Sequence, residues 1–194
     1  MQEENTIYLD GETLSSSEVQ MVAEGKATVA ISQDSWVKIN AARSVVEGIL
    51  ERGETVYGIN TGFGALVKER ISNDDLSNLQ RNLIRSHATA LGDLMSKELV
   101  RAMMVTRANS LAKGCSGAHP DVINQLLAFI NNDICPAIPR IGSLGASGDL
   151  APLSHMALSL IGEGEVLTDS GVGPTRDALL ANGLIGINLR AKDG

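Results

Sequence analysis

The sequence predicts a mainly α-helical protein with a few short β-strands. Aromatic residues make up only 3% of the chain and apolar residues 43%, so the core must be built from aliphatic side chains. Residues 35–52 and 97–113 carry apolar side chains at helical spacing over several turns. Stretches with strand character, in contrast, are short and lie between glycine or proline residues. Helices therefore account for most of the predicted structure.

The first two helices have clear start and stop signals. Ser16 or Ser17 can cap a helix that runs through Glu24 and stops at Gly25. The second helix, over residues 35–52, ends at Gly53, and its predicted apolar side consists of Val37, Ile39, Ala42, Val45, Val46 and Ile49.

The later helices are predicted in the same way. Ser72 and Asp75 resemble a capping box for a helix that continues to His87. The predicted apolar side of the helix over residues 97–113 consists of Leu99, Ala102, Met103, Val105 and Ala108. Pro120 suits the first turn of the next helix, and Asp149 can cap an apolar helix that reaches about residue 161. Residues 174–181 form the last predicted helix.

Short strands are predicted at residues 7–9, 26–31 and 55–57, with an extended segment at 136–139 and a turn followed by a small strand within residues 162–167. No internal repeat, low-complexity tract or linker interrupts the chain, so residues 1–194 are interpreted as one unit.

Charge and composition exclude several classes of function. The net charge of −7 disfavours binding to nucleic acid and to anionic membranes. The acidic start is not followed by an apolar run, and no segment reaches transmembrane length, so we expect a cytoplasmic protein. Cys115 and Cys135 lack metal-site spacing and are interpreted as free thiols packed in the core, and no metal site is predicted.

The glycine-rich loop at residues 142–148 contains a triplet that can build an electrophile. The amide nitrogen of Gly148 can attack the carbonyl carbon of Ala146 with loss of water. A second loss of water converts the Ser147 side chain into a methylene group, giving a methylidene-imidazolone. Gly148 has no Cβ to obstruct this approach, and the adjacent Asp149 can assist proton removal or fix the loop. By itself the triplet is also compatible with a plain turn before a helix.

A second glycine-rich loop runs Tyr57-Gly-Ile-Asn-Thr-Gly-Phe-Gly64. A phenol acts as a base only where neighbouring groups stabilise its phenolate, and the alternative is a buried tyrosine beside a turn. Neither glycine-rich loop contains the Gly-Lys-Ser/Thr ending of a phosphate-binding loop, so nucleotide binding is not expected. A third segment, Leu79-Gln-Arg-Asn-Leu-Ile-Arg-Ser-His87, places a histidine at a predicted helix end, where it can position a substrate or bond a carbonyl group.

Together the three segments resemble one enzyme family. The run Gly142-Ser-Leu-Gly-Ala-Ser-Gly-Asp-Leu-Ala-Pro-Leu-Ser-His155, the Tyr57 loop and the His87 segment resemble the histidine and phenylalanine ammonia-lyases. The resemblance implies the N-terminal part of their helical fold, which belongs to the fumarase/aspartase-like superfamily. It also implies that the C-terminal helical bundle is absent from these 194 residues.

The resemblance further implies non-oxidative elimination of ammonia from an aromatic α-amino acid, with L-histidine and urocanate favoured by His87. The methylidene-imidazolone would form from Ala146, Ser147 and Gly148 without metal or nucleotide, and Tyr57 would remove the β-proton. Substrate binding is expected at His87, Asn82, Gly64 and Leu144, and support for cofactor formation at Asp149 and Gly142. We expect the chain either to assemble into a homotetramer or to associate with a complementing C-terminal polypeptide. A tyrosine or phenylalanine ammonia-lyase, a 2,3-aminomutase and a truncated, inactive fragment are the alternatives.

Overall fold

The computed structural model describes residues 5–61, 73–145 and 148–194, and these residues form seven helices and seven short strands. This confirms the predicted mainly α class with short strands. The helices are α1 (Ser16–Ala23), α2 (Gln33–Glu51), α3 (Asn73–His87), α4 (Lys97–Ala112), α5 (Pro120–Asn131), α6 (Leu150–Leu160) and α7 (Thr175–Ala181). The strands are β1 (Thr6–Leu9), β2 (Thr28–Ile31), β3 (Leu91–Leu94), β4 (Cys135–Pro136), β5 (Pro139–Ile141), β6 (Glu165–Thr168) and β7 (Gly171–Pro174).

The strands form three small sheets rather than one. Strands β1 and β2 pair in parallel, β3 pairs antiparallel with β5, and β6 lies between β4 and β7 in an antiparallel sheet. In the β3–β5 pair, Leu91 lies opposite Ile141, which connects the chain that follows α3 to the chain that leads into the glycine-rich loop. Strands β3 and β7 were not predicted.

Serine hydroxyls cap three of the helices. The Ser15 side chain accepts a hydrogen bond from the Glu18 amide and forms a complete capping box with it, so α1 is capped one residue earlier than predicted. Ser32 and Ser96 accept from amides in the first turns of α2 and α4. Pro120 occupies the first turn of α5, as predicted. The Ser72 part of the α3 prediction lies outside the described residues.

Helix α4 lies at the centre of the main core, with α1 and α5 packed against it. The predicted apolar side of α4 is confirmed for Val105 and Ala108, which are fully buried, but it was wrong for Leu99, which is 46% exposed. Arg101 is buried instead, since its guanidinium donates to the carbonyl groups of Val22 and Ile130 and pairs with Asp133 at 2.8 Å. The fully buried apolar residues of α4 are Val100, Met104, Val105, Ala108 and Ala112.

A second, smaller apolar cluster joins α2, α3, the Tyr57 loop and the last residues of the chain. Its buried members are Val46, Ile59, Leu76 and Ala191. The predicted strand at residues 55–57 is absent, because residues 57–59 form a turn whose Ile59 side chain enters this cluster.

A buried ion pair fixes the last residues of the chain. The Arg43 Nη1 atom lies 3.5 Å from Asp193 Oδ1 and donates to the Ala191 carbonyl at 3.0 Å, and the two charged side chains are 6% and 1% exposed. Asp193 also accepts from the amides of His119 and Arg190, both at 2.8 Å. We refer to Arg43 and Asp193 as the Arg43–Asp193 clasp. The predicted apolar side of α2 is confirmed for Ile39 and Val46, which are buried, but it was wrong for Val37 and Val45, which are 64% and 62% exposed.

The cysteine prediction was half right. Both thiols are free, but only Cys135 is buried, where loss of solvent raises its pKa to about 11. Cys115 is exposed. No described helix combines the length and the hydropathy needed to cross a lipid bilayer. Within residues 5–61, 73–145 and 148–194, no three His, Cys, Asp or Glu side chains are grouped so as to hold a metal ion.

Candidate functional site

The side chain of one buried asparagine, Asn60, stabilises the Tyr57 turn through two hydrogen bonds. Asn60 is 1% exposed, and its side chain donates to the Glu54 carbonyl at 2.7 Å and accepts from the Val56 amide at 2.9 Å. These bonds close the turn from residue 54 to 60 at its base. Tyr57 lies at the outer side with 62% of its surface exposed, so its phenol can reach a molecule bound beside the turn. Gly64 lies outside the described residues.

The second glycine-rich loop is closed by a hydrogen bond between its ends. The Ser143 hydroxyl donates to Asp149 Oδ1, across the five residues that separate them. Asp149 occupies the N-cap position of α6, but its side chain makes no capping bond to the helix, so the predicted cap was wrong. The carboxylate closes the loop instead.

The backbone of this loop adopts conformations that suit glycine. Gly145 and Gly148 have φ angles of +73° and +92°, which residues with a Cβ rarely adopt. Apart from the chain neighbours of Gly148, no described residue has a heavy atom within 4 Å of a Cβ built at this position. Leu144 is 89% exposed. Ala146 and Ser147 lie outside the described residues, so their conformation stays a prediction.

His87 ends α3 and is half-buried. Its Nδ1 atom lies 2.8 Å from the Leu83 carbonyl oxygen and 3.1 Å from the Ser86 hydroxyl. Since a carbonyl oxygen can only accept, Nδ1 carries the proton and Nε2 of the neutral ring is left as an acceptor. Asn82 is exposed on the same helix.

A cleft of about 660 Å³ lies between α3, α4, α6 and the last residues of the chain. Leu83, His87, Leu150 and Leu153 are among the residues that line it. The structure thus brings the His87 end of α3 together with the first turns of α6, which begins directly after the loop at residues 142–149. Tyr57, Asn82 and Leu144 do not line this cleft.

Arg107 also lines the cleft and was missed in the sequence. Its side chain is exposed to solvent, and no residue of the described ranges forms a hydrogen bond or ion pair with it. In the sequence, Arg107 is recognisable only as a cation near the apolar side of α4, and such cations are common on solvated helix faces.

An ion pair ties α3 to the turn after α6. Arg85 binds the Glu163 carboxylate through two bonds of 2.7 and 2.8 Å, and Arg81 lies 3.8 Å from the same group. The Arg85 guanidinium lowers the pKa of Glu163, and that carboxylate raises the pKa of Arg85. Both side chains are partly exposed, so the pair orients the two elements more than it stabilises them.

Gly142 lies where the two halves of the site touch. A Cβ built at this position would lie 2.8 Å from the Ala90 Cβ, 2.9 Å from the Ala90 Cα and 3.2 Å from the Ala151 Cβ. Only glycine therefore allows the chain before the loop to approach the chain after α3 and the first turn of α6.

We expect Gly142→Ala to lower the free energy of unfolding by about 1–3 kcal/mol, because the added methyl group overpacks this contact. Gly173→Ala is the matched control, since its Cβ would meet only Thr168 Cγ2 at 3.4 Å. The control should stay within about 0.5 kcal/mol of the wild type in urea denaturation. Equal losses in the two variants would contradict the close approach at Gly142.

Comparison with known proteins decides the family. The family model described as aromatic amino acid lyase matches residues 14–194. The chain belongs to this family. The match includes the Tyr57 loop, α3 and the loop before α6.

Curated members of the aromatic amino acid lyase family match nearly the whole chain. The histidine ammonia-lyase of Geobacillus thermodenitrificans is 47% identical over 188 residues, and that of Staphylococcus aureus is 49% identical over 189 residues. Each alignment covers 97% of this chain but only 37% and 38% of the relatives. The chain therefore spans less than two fifths of the length of these curated relatives.

Solved structures of lyases and aminomutases share the fold. Histidine ammonia-lyase from Trypanosoma cruzi superposes with a TM-score of 0.90 at 37% identity, over 97% of this chain and 37% of that one. Tyrosine aminomutase from Streptomyces globisporus superposes with the same TM-score at 41% identity, over 97% and 35%. These matches confirm the predicted ammonia-lyase fold.

Proposed function

We propose that this chain is the part of a histidine ammonia-lyase that carries the electrophile and the catalytic base. The reaction is elimination of ammonia from L-histidine to give urocanate. The observation that supports it most is the similarity to proteins named histidine ammonia-lyase over 97% of the chain. The active form is completed by the remaining portion of the family's chain and by assembly into a homotetramer.

The residues around the triplet fit the formation of a methylidene-imidazolone from Ala146, Ser147 and Gly148. The Ser143–Asp149 bond holds the ends of the loop together, and Gly148 has the positive φ and the free space that a bent backbone needs. The group, once formed, withdraws electrons from the bound amino acid. Gly142 and Asp149 support its formation by fixing the two ends of the loop.

Tyr57 and His87 act on the substrate in this proposal. The exposed Tyr57 phenol removes the β-proton, and the Asn60 bonds keep its turn in place. The Leu83 contact places a proton on Nδ1 of His87, so in the neutral ring the Nε2 atom accepts a hydrogen bond from an imidazole N–H of the substrate. Asn82, Gly64 and Leu144 complete the proposed substrate-binding residues.

The activity is tested by combining this chain with the remaining portion of the Geobacillus thermodenitrificans enzyme and following urocanate by absorbance. We expect urocanate from the combined polypeptides and none from the 194 residues alone. Tyr57→Phe should lower the rate by about 10²–10⁴-fold, the contribution of a general base. Tyr8→Phe is the matched control, because Tyr8 is the only other tyrosine and is 67% exposed.

The products separate the alternatives. Several solved neighbours are tyrosine aminomutases at 40–42% identity, so tyrosine and phenylalanine are assayed beside histidine. A β-amino acid product would replace the proposal by an aminomutase, and cinnamate-type products by a phenylalanine or tyrosine lyase. Absence of any product from the combined polypeptides would identify an inactive fragment.

A further inference from the structure

His155 makes a contact that none of the roles above explains. It lies in the second turn of α6, and its Nε2 atom lies 3.2 Å from the backbone nitrogen of Ala90, 65 residues earlier in the chain. Ala90 follows His87 by three residues. The hydrogen bond therefore links the helix that begins after the glycine-rich loop to the segment that follows the substrate-binding histidine.

The direction of the Ala90–His155 hydrogen bond determines the tautomer of the His155 imidazole. A backbone N–H can only donate, so Nε2 must offer a lone pair, and the proton of the neutral imidazole resides on Nδ1. Burial alone lowers the pKa of His155, so the ring is neutral at physiological pH. The neutral ring is the only state that can accept this bond.

Among the described residues, no charged group opposes the lowering of the His155 pKa by burial. Among side chains that the structure describes, the titratable ones on the elements packed against α6 are Asp75, Arg81, Arg85 and His87 of α3, Asp121 of α5 and Cys135 of β4. The two arginines pair with Glu163, and Asp121 pairs with Arg190. None of these groups alters the pKa of His155.

Ala90 is the point where three parts of the site meet. Its amide donates to His155, its Cα and Cβ lie against Gly142, and the next residue, Leu91, is paired with Ile141 of β5. The last two contacts hold the chain against the start of the glycine-rich loop. The first holds it against α6, on the far side of the triplet.

We propose that His155 is a positioning residue whose neutral imidazole holds the segment after His87 against α6 and releases it when protonated. Protonation places an N–H on Nε2, opposite the N–H of Ala90, so an attraction becomes a repulsion. Because the pKa is lowered in the folded chain, the stabilisation is complete above the unfolded value near 6.5. It is lost as the pH falls through the folded value. The catalytic consequence, loss of alignment of His87, rests on the proposed function.

Hydrogen exchange at the Ala90 amide tests the contact without any turnover. Exchange rates are corrected for their intrinsic pH dependence and measured from pH 8 to pH 5. We expect the corrected rate of the wild type to rise by about 3- to 10-fold through the His155 titration, the equivalent of one hydrogen bond. His155→Gln keeps an acceptor at the same distance but does not titrate, so it should retain protection at every pH. His155→Leu should lack the protection throughout.

His119→Asn is the matched control, since His119 is a half-buried histidine whose pKa is also lowered and asparagine also caps helices. It should keep the wild-type pH dependence at Ala90. A wild-type rate that does not change with pH, or a His155→Gln chain that still shows the change, would overturn the proposal. So would protection that survives in His155→Leu.

The pH dependence of kcat/KM tests whether the His155 contact aligns His87. In the combined enzyme, His155→Gln should flatten the acid limb of kcat/KM while leaving the rate at pH 8 within twofold. Failure to produce urocanate would remove only this second readout and leave the exchange result intact. An unchanged acid limb with altered exchange would show that the contact exists but does not position His87, which contradicts the proposed role.

Discussion

The purified chain is expected to weigh less than its sequence requires by the mass of two water molecules, and Ser147→Ala is expected not to show this deficit. The first water is lost when the Gly148 nitrogen attacks the Ala146 carbonyl, and the second takes away the Ser147 hydroxyl. Alanine has no hydroxyl to lose, so the methylene group cannot form. Intact-mass spectrometry of the two chains decides the question.

Ser170→Ala is the control for this experiment. Ser170 is an exposed serine in the turn between β6 and β7, far along the chain from the triplet, and its replacement should keep the two-water deficit. A wild-type chain of unmodified mass would mean that these 194 residues do not build the electrophile by themselves. In the combined enzyme, Ser147→Ala should abolish urocanate formation, because the electron-withdrawing group is missing.

Arg43→Ala is expected to lower the free energy of unfolding by about 3–5 kcal/mol, because it leaves the buried Asp193 carboxylate without a counter-charge. Burial raises the pKa of Asp193 despite its two backbone hydrogen bonds, which shows how much solvation the carboxylate has lost. Arg43 also donates to the Ala191 carbonyl, so its removal leaves a second buried group unbonded. Urea denaturation at pH 7 measures the loss.

The pH dependence of this loss has a definite sign. A carboxyl group whose pKa is raised on folding holds its proton longer in the folded chain, so its stabilising effect is present below the unfolded value of 3.8 and is lost as the pH rises through the folded value. The penalty of Arg43→Ala should therefore shrink in acid, where Asp193 is neutral. Asp193→Asn should cost less, about 1–3 kcal/mol, since Arg43 keeps its carbonyl partners.

Arg190→Ala is the control for the clasp, because the Arg190 side chain is 51% exposed in its pair with Asp121. A surface pair of this kind contributes about 0–1 kcal/mol. If Arg43→Ala and Arg190→Ala had equal effects, the clasp would have no special role in stability.

Local signals were sufficient to predict most of the helices. Pro120 predicted the start of α5, and the spacing of apolar residues predicted α2 and α4 to within a few residues of their observed bounds. The caps at Ser15, Ser32 and Ser96 were not predicted. Strands β3 and β7 could not be predicted, because they contain glycine and are extended only through pairing with β5 and β6. Strand β5, the partner of β3, is distant in the sequence, and the exact bounds of β6, the partner of β7, were not predicted.

The burial of two arginines could not be predicted from a hydropathy pattern either. Arg101 and Arg43 are buried because carbonyl groups from remote segments surround them, and no spacing rule predicts which carbonyl groups those are. For the same reason the contact of His155 with Ala90 was not foreseen, although the resemblance singled out the His155 motif. The site residues themselves came from the resemblance, and a loop-fixing role of Asp149 was predicted, while the cleft, Arg107 and the Ser143 partner of Asp149 required the three-dimensional arrangement.

The separation of Arg43 from its partners has a consequence for how the chain folds during synthesis. The Ala191 carbonyl that Arg43 contacts lies 148 residues later in the sequence. At about 5–20 residues per second, a ribosome needs roughly 7–30 s to make that stretch, which is long compared with the formation of a helix. Until then the Arg43 guanidinium has only its 3.1 Å pair with Glu47 of the same helix, so the contacts with Ala191 and Asp193 form late in synthesis.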